Sequence, residues 1–152
     1  FDYAAEEETE GMDQNPLNEA EVLDFTGKRL LLVEDQFINR EIATAILKDA
    51  GFLLETAENG QEALEKVEAS EPGYFDAVLM DIQMPVMDGY SATKAIRALS
   101  NEGLSRVPII AMTANAFSED IKKAKEVGMN GHVAKPIDVK VLLNTLATVM
   151  KN

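Results

Sequence analysis

Residues 77–89 read AVLMDIQMPVMDG. Ala77 to Met80 is apolar without interruption, as in a strand covered on both faces. It ends on Asp81, and Met84, Pro85, Met87, Asp88 and Gly89 then make a loop before a helix from about Ser91 to Leu99. The same pattern recurs on either side. Leu30 to Val33 runs into Glu34 and Asp35, Pro108 to Met112 runs into Thr113, and a weaker run, His132 to Ala134, ends on Lys135. If these runs are parallel strands of one sheet, their C-terminal ends share an edge, and three carboxylates, a hydroxyl and an ammonium meet in one pocket. Such a pocket suits a divalent cation and a phosphoryl group.

Outward from these strands the chain alternates strand and helix. Ile38, Ile42, Ala45 and Ile46 recur at helical spacing, and Gly51 stands where a left-handed cap is wanted. Leu53 to Ala57 reads as a second strand. Asn59 followed by Glu62 is a capping-box arrangement, so a helix should start at Gly60, turn Ala63, Leu64 and Val67 inward, and end at Pro72 and Gly73. Val107 to Met112 is the fourth strand. Ser118, with Glu119 and Asp120 in the first turn, should open a helix that ends near Gly128. Asp138 should cap a last helix with an apolar face of Val139, Leu142, Leu143, Leu146 and Val149. Five strands alternating with five helices imply an α/β doubly wound parallel sheet, because right-handed crossovers leave few other topologies.

With 152 residues, 46% of them hydrophobic, the chain can bury one core and has no room for a second catalytic domain. The net charge of −13 is uneven: residues 1–25 carry nine acids and no base. Residues 1–27 are therefore expected to form a flexible acidic linker or tail, and residues 28–152 the folded domain. An interaction tail, or Val22 to Phe25 packing back on the domain, is the alternative. The start at Phe1 suggests a piece of something longer. The absence of cysteine excludes disulfides, thiolate metal sites and thiol nucleophiles, and makes an intracellular setting the simpler reading. No apolar stretch approaches a membrane span, so no membrane contact is expected of this segment. No basic stripe exists to neutralise a nucleic-acid backbone, so no nucleic acid is expected as a partner.

Taken singly, each polar residue at a strand end has an ordinary role. Glu34 and Asp35 could cap the first helix, Asp81 could sit in a turn, Thr113 could satisfy a carbonyl, and Lys135 could be a surface lysine. Taken together, three gathered acids without a counter-charge would repel and raise one another's pKa. A hard cation such as Mg2+, which prefers oxygen ligands, and the ammonium of Lys135 remove that conflict.

The segments LLVEDQFINR, VLMDIQMPVMDG, PIIAMTANAF and VAKPI resemble the corresponding stretches of response-regulator receiver domains, especially those of hybrid sensor histidine kinases. The resemblance covers about residues 28–150. It implies a flavodoxin-like (βα)5 fold with strand order 2-1-3-4-5. It also implies Asp81 as phosphoacceptor, Asp35 as a direct Mg2+ ligand, Glu34 as a ligand through water, and the carbonyl of Gln83 as a further ligand. Thr113 would contact the phosphoryl oxygens, Lys135 would pair with the aspartyl phosphate, and the Lys135–Pro136 bond would be cis.

On this reading a phosphoryl group passes from a partner's phosphohistidine to Asp81, and the acyl phosphate is then hydrolysed, so the domain would catalyse its own phosphorylation and dephosphorylation. His132 is the only histidine and lies in the last strand, so the donor is elsewhere: a histidine kinase domain or a histidine phosphotransfer protein. Thr113 and His132 are the switch positions that the resemblance implies. His132 stands where the family places an aromatic residue, and a half-buried strand histidine is the plainer account of it. Ala114 leaves the phosphoryl site open, and Gln83 could position or exclude the hydrolytic water. Lys122, Lys123 and Lys125 read as a solvated face, with a weak dimer through that region as the alternative to a monomer. A cytoplasmic domain, on its own or as the cytoplasmic part of a membrane-bound sensor kinase, is expected. Two other classes compete. A haloacid-dehalogenase-like phosphatase needs a second aspartate two positions after its nucleophile, where Gln83 stands. A flavodoxin-like nucleotide-binding module needs a phosphate-binding loop after the first strand, where Glu34 and Asp35 would repel phosphate.

Overall fold

A computed structural model describes residues 25–114 and 118–150. Five strands form one parallel sheet: β1 (Arg29–Val33), β2 (Leu53–Ala57), β3 (Ala77–Asp81), β4 (Ile109–Thr113) and β5 (Gly131–Ala134), in the order β2-β1-β3-β4-β5. The helices are α1 (Phe37–Asp49), α2 (Gly60–Ala69), α3 (Gly89–Arg97), α4 (Glu102–Ser105), α5 (Ser118–Val127) and α6 (Val139–Met150). This is the doubly wound parallel sheet expected from the alternation of apolar runs, in the flavodoxin-like strand order that the resemblance implied.

The sheet divides the core in two because successive strand residues point to opposite faces. Leu31, Val33, Val78, Met80, Ile109 and Ala111 face α2, α3, α4 and α5. Leu30, Leu32, Leu79, Ile110 and Met112 face α1 and α6. Every residue of β3 and β4 is buried, as their unbroken apolar sequence requires, whereas β2 at the sheet edge is buried only at Ala57. The register pairs Val33 with Met80, Asp81 with Met112, and Thr113 with Ala134, so the strands end nearly level.

Several caps are as expected. The Asn59 side chain accepts from the Glu62 N–H at 2.9 Å and opens α2 at Gly60. The return bond of that box runs from the Glu58 N–H to Glu62 Oε1. Gly51 has φ +107°, and Asp138 Oδ1 accepts from the Val141 N–H at the head of α6. The Ser118 side chain expected to cap α5 lies outside the described residues, as do Val22 to Asp24. Phe25 is described: it is buried and stacks on Phe52 with ring centroids 4.6 Å apart.

Other expectations change. The third helix starts at Gly89 instead of Ser91, because Asp88 accepts from the Ser91 N–H at 2.8 Å, and it ends at Arg97. α4 was not expected; Asn101 caps it and Leu104 is its buried anchor. In α1 the buried residues are Ala43 and Leu47, whereas Ile38, Ile42 and Ala45 are exposed. In α6 Leu142 and Leu146 are buried, but Val139 is exposed.

Candidate functional site at the carboxyl edge of the sheet

The polar residues that follow the strands do meet. Asp81 is the last residue of β3, Thr113 the last of β4, Glu34 follows β1, and Lys135 follows β5. Carboxylate oxygens of Glu34, Asp35 and Asp81 lie within 4.8 Å of one another. Lys135 Nζ lies 2.9 Å from Glu34 Oε1 and 3.0 Å from Asp81 Oδ2, bridging two acids that are 2% and 5% exposed.

The backbone fixes these positions. The Lys135 N–H donates to the Thr113 carbonyl at 2.8 Å, which carries the sheet pairing one step past β5 and sets Lys135 beside the end of β4. The Lys135–Pro136 bond is cis. The Ile82 N–H donates to the Met112 carbonyl, and the Gln83 N–H lies 3.3 Å from Asp81 Oδ1. Gly89 allows α3 to start against this strand end, since a Cβ there would lie 2.4 Å from the Asp81 carbonyl oxygen. On the β1 side, Glu34 Oε2 accepts from the Gln36 N–H at 3.1 Å, so both of its oxygens are engaged.

Burial is the main electrostatic influence on Asp81. It lifts the carboxyl to about 6, against the hydrogen bond and charge of Lys135, which pull it down; nearby Glu34 adds to the rise. Burial alone would lower the Lys135 ammonium, but its hydrogen bonds to Glu34 and Asp81 outweigh this and hold it above its ordinary value. The cluster therefore has more negative charge than one lysine balances. Three clustered carboxylates, all oxygen donors, two of which (Asp35 and Asp81) line a cleft, fit a small hard dication.

That cleft has a volume of about 600 Å³ and is lined by Asp35, Asp81, Gln83, Thr113, Ala114 and Lys135, among others. It is also lined by residues that sequence reasoning did not place there, Asp88, Tyr90, Asp120 and Lys123. Lys123 is exposed, as a solvated lysine should be, yet its Nζ lies 4.6 Å from the Tyr90 ring centroid. Glu34 instead lines a groove that shares Lys135 and Met112 with the cleft, together with Ile42, Pro136 and Ile137. His132 is not brought to the cleft. It is half-buried on β5 and lines a separate surface groove with Lys125, Asn144 and Thr148.

Comparison with known proteins gives the family of this fold. The family model described as the response regulator receiver domain matches residues 30–147, and the chain belongs to that family. It is 43% identical over 125 residues to hybrid signal transduction histidine kinase B of Dictyostelium discoideum, a match covering 76% of this chain and 6% of that protein. It is 34% identical over 155 residues to histidine kinase 1 of Arabidopsis thaliana, covering 82% of this chain and 13% of that protein. The chain thus spans a small fraction of the length of these relatives. Among solved structures it is similar to the receiver domain of a Pseudomonas aeruginosa sensor histidine kinase, crystallised with a magnesium ion coordinated in its active-site cleft. That similarity has a TM-score of 0.74 and 38% identity, over 84% of this chain and 100% of that one. It is also similar to a chain in the co-crystal structure of the Saccharomyces cerevisiae histidine phosphotransfer protein Ypd1 with the receiver domain of Ssk1. There the TM-score is 0.71 and the identity 29%, over 82% and 89% of the two chains. Neither the phosphatase nor the nucleotide-binding alternative gains support from these similarities. Among the described residues no helix is long and apolar enough to cross a membrane.

Proposed function

We propose that this receiver domain accepts a phosphoryl group on Asp81 from a phosphohistidine of a partner and later releases it to water. The observation that carries the reading is the contact of Lys135 Nζ with both Asp81 and Glu34, inside a cluster that also includes Asp35. Asp35, Asp81 and the carbonyl of Gln83 would hold Mg2+, with Glu34 acting through water. The ion supplies charge neutralisation for the incoming phosphoryl oxygens. An Asp81 carboxylate oxygen forms the new P–O bond as the P–N bond to the donor imidazole breaks, and the leaving nitrogen keeps the electron pair and takes up a proton. Lys135 follows the charge from carboxylate to acyl phosphate. Thr113, at the end of the neighbouring strand, donates its hydroxyl to a phosphoryl oxygen. Through Thr113 the change is transmitted toward the face formed by α5, β5 and α6, where His132 is a half-buried strand residue away from the cleft.

The donor must approach the open cleft. Phe37, Ile38 and Ile42 on α1 are exposed, and Ile42 lines the groove with Pro136 and Ile137. This apolar stripe next to a buried acid suits a helical partner that presents a histidine, either a histidine kinase domain or a histidine phosphotransfer protein. We place the domain in the cytoplasm as part of a hybrid histidine kinase, acting as a monomer or weak dimer. The acidic stretch is a linker that ends before Phe25, which packs on the domain and not in the linker to residue 27 that composition suggested.

Incubation with a small phosphodonor and Mg2+ tests the reading. One acid- and base-labile phosphate per chain, lost in Asp81→Asn and on chelation of the metal, is the expected result. Turnover of many phosphoesters, or labelling that survives Asp81→Asn, would overturn it.

A further inference from the structure

Arg40 is a basic residue one turn into α1 that the proposed chemistry does not use. Its side chain is 13% exposed, against 66% for its acidic neighbour Glu58. The guanidinium turns back along the helix. Nη1 donates to the main-chain carbonyl of Glu34 at 2.9 Å, and Nη2 lies 3.9 Å from Glu58 Oε2. The α1 N-terminus has no side-chain cap from Gln36 and no acid in its first turn.

The carbonyl that Arg40 grips belongs to the peptide joining Glu34 to Asp35. The pairing of β1 with β2 and β3 stops at Val33, so this carbonyl lies past the ladder. On its other side the Glu34 N–H donates to the Ala57 carbonyl at 3.0 Å. The backbone of Glu34 is thereby held at both ends, by the end of β2 and by Arg40. The direction of that peptide plane decides where the Glu34 and Asp35 side chains leave the chain.

A guanidinium there offsets part of the acids' repulsion, but its charge does not help the acids take up a metal ion. A cation beside the acids opposes binding of a dication, and the exposed Glu58 offsets only part of this. We propose that Arg40 is a positioning residue, which orients the Glu34–Asp35 peptide so that both carboxylates are aimed for a divalent cation. The proposal rests on the reading of these acids as a Mg2+ site.

The two accounts of Arg40 predict opposite signs. Mg2+ affinity of the full chain is measured by titration calorimetry for the wild type, Arg40→Met, Arg40→Lys and Asp35→Asn, with thermal unfolding of each in chelator. Positioning predicts that Arg40→Met weakens Mg2+ binding by about tenfold or more, as loss of a ligand-orienting partner does. Arg40→Lys, which keeps the charge and one donor, should recover part of the loss. Unchanged or tighter binding in Arg40→Met overturns the proposal, since an effect on stability alone leaves affinity unmoved and an effect of charge alone raises it. If Arg40→Met does not fold, Arg40→Lys decides: affinity below wild type supports positioning by the guanidinium, and affinity equal to or above wild type overturns it. If the wild type itself takes up no Mg2+, or Asp35→Asn binds it equally well, the reading of the site has failed instead.

Discussion

Lys135 Nζ stands 3.0 Å from Asp81 Oδ2, and the two residues come from strands separated in the sheet by β4. The side chain of Lys135 reaches past the end of that strand to make the contact. Lys135 is thus the internal counter-charge of a buried acid pair, and its removal should expose how much repulsion the pair holds.

Lys135→Met leaves Glu34 and Asp81 buried without their shared cation. In chelator at neutral pH the variant should lose about 3 kcal/mol of unfolding free energy. The deficit should shrink as pH falls and Asp81 takes up a proton, and Mg2+ should restore part of it. Urea titrations across pH check this; a deficit independent of both pH and Mg2+ would count against the electrostatic account.

Asp81→Asn should stabilise the fold in chelator. The Asp81 carboxyl is raised from its ordinary 3.8 to about 6, chiefly by burial. The native state therefore binds a proton more tightly than the unfolded chain, and the contribution of Asp81 to stability falls as pH rises from about 4 to 6. Above that window the charged acid costs of the order of 2 kcal/mol, which the amide avoids while Lys135 keeps Glu34. The gain should be large at pH 7.5 and small at pH 4 in paired denaturation curves. A gain that grows toward low pH would mean that the sign is wrong.

Gly89→Ala should damage the site as well as the fold. The added methyl would lie 2.4 Å from the Asp81 carbonyl and 2.9 Å from the Ile82 Cα, both main-chain atoms that cannot swing aside. A loss of about 2 kcal/mol is expected from this overpacking. Labelling from a small phosphodonor should also slow under conditions where the variant is still folded. A variant with wild-type unfolding and labelling would show that the strand end tolerates displacement.

Val86→Gly should have the opposite effect on stability. Val86 has φ +69° and is 82% exposed, so a β-branched residue holds a left-handed conformation without burial in return. Relief of that strain, less the added freedom of the unfolded chain, should stabilise by about 0.5–1 kcal/mol. The midpoint of urea unfolding should rise; a lower midpoint contradicts this account of the turn.

The site was legible in sequence because each strand announces its end. Leu30 to Val33 and Ala77 to Met80 are apolar up to the residue at which the sheet edge meets solvent, and the acids begin there. The orientation of α1 was harder to read. Ile38 and Ile42 share a spacing with Ile46, but Ala43 and Leu47 form the buried stripe, and helical periodicity does not say which of two apolar stripes faces a sheet. The single turn of α4 is too short to show any period. Arg40 was missed although it stands in the motif-bearing segment, because its role depends on the Glu34 carbonyl and on Glu58 after β2, a meeting that only the packed sheet creates. Part of the cleft lining was missed for the same reason: Tyr90 and Lys123 meet there from α3 and α5.

The central claim is that Asp81 forms the acyl phosphate. Its most direct test is borohydride reduction of the protein after exposure to a small phosphodonor and Mg2+, followed by peptide mass mapping, since reduction converts an aspartyl phosphate to homoserine. The account predicts homoserine at position 81, with none formed when Mg2+ is chelated. Homoserine at any other aspartate, or a stable phosphate with no homoserine at all, would contradict it.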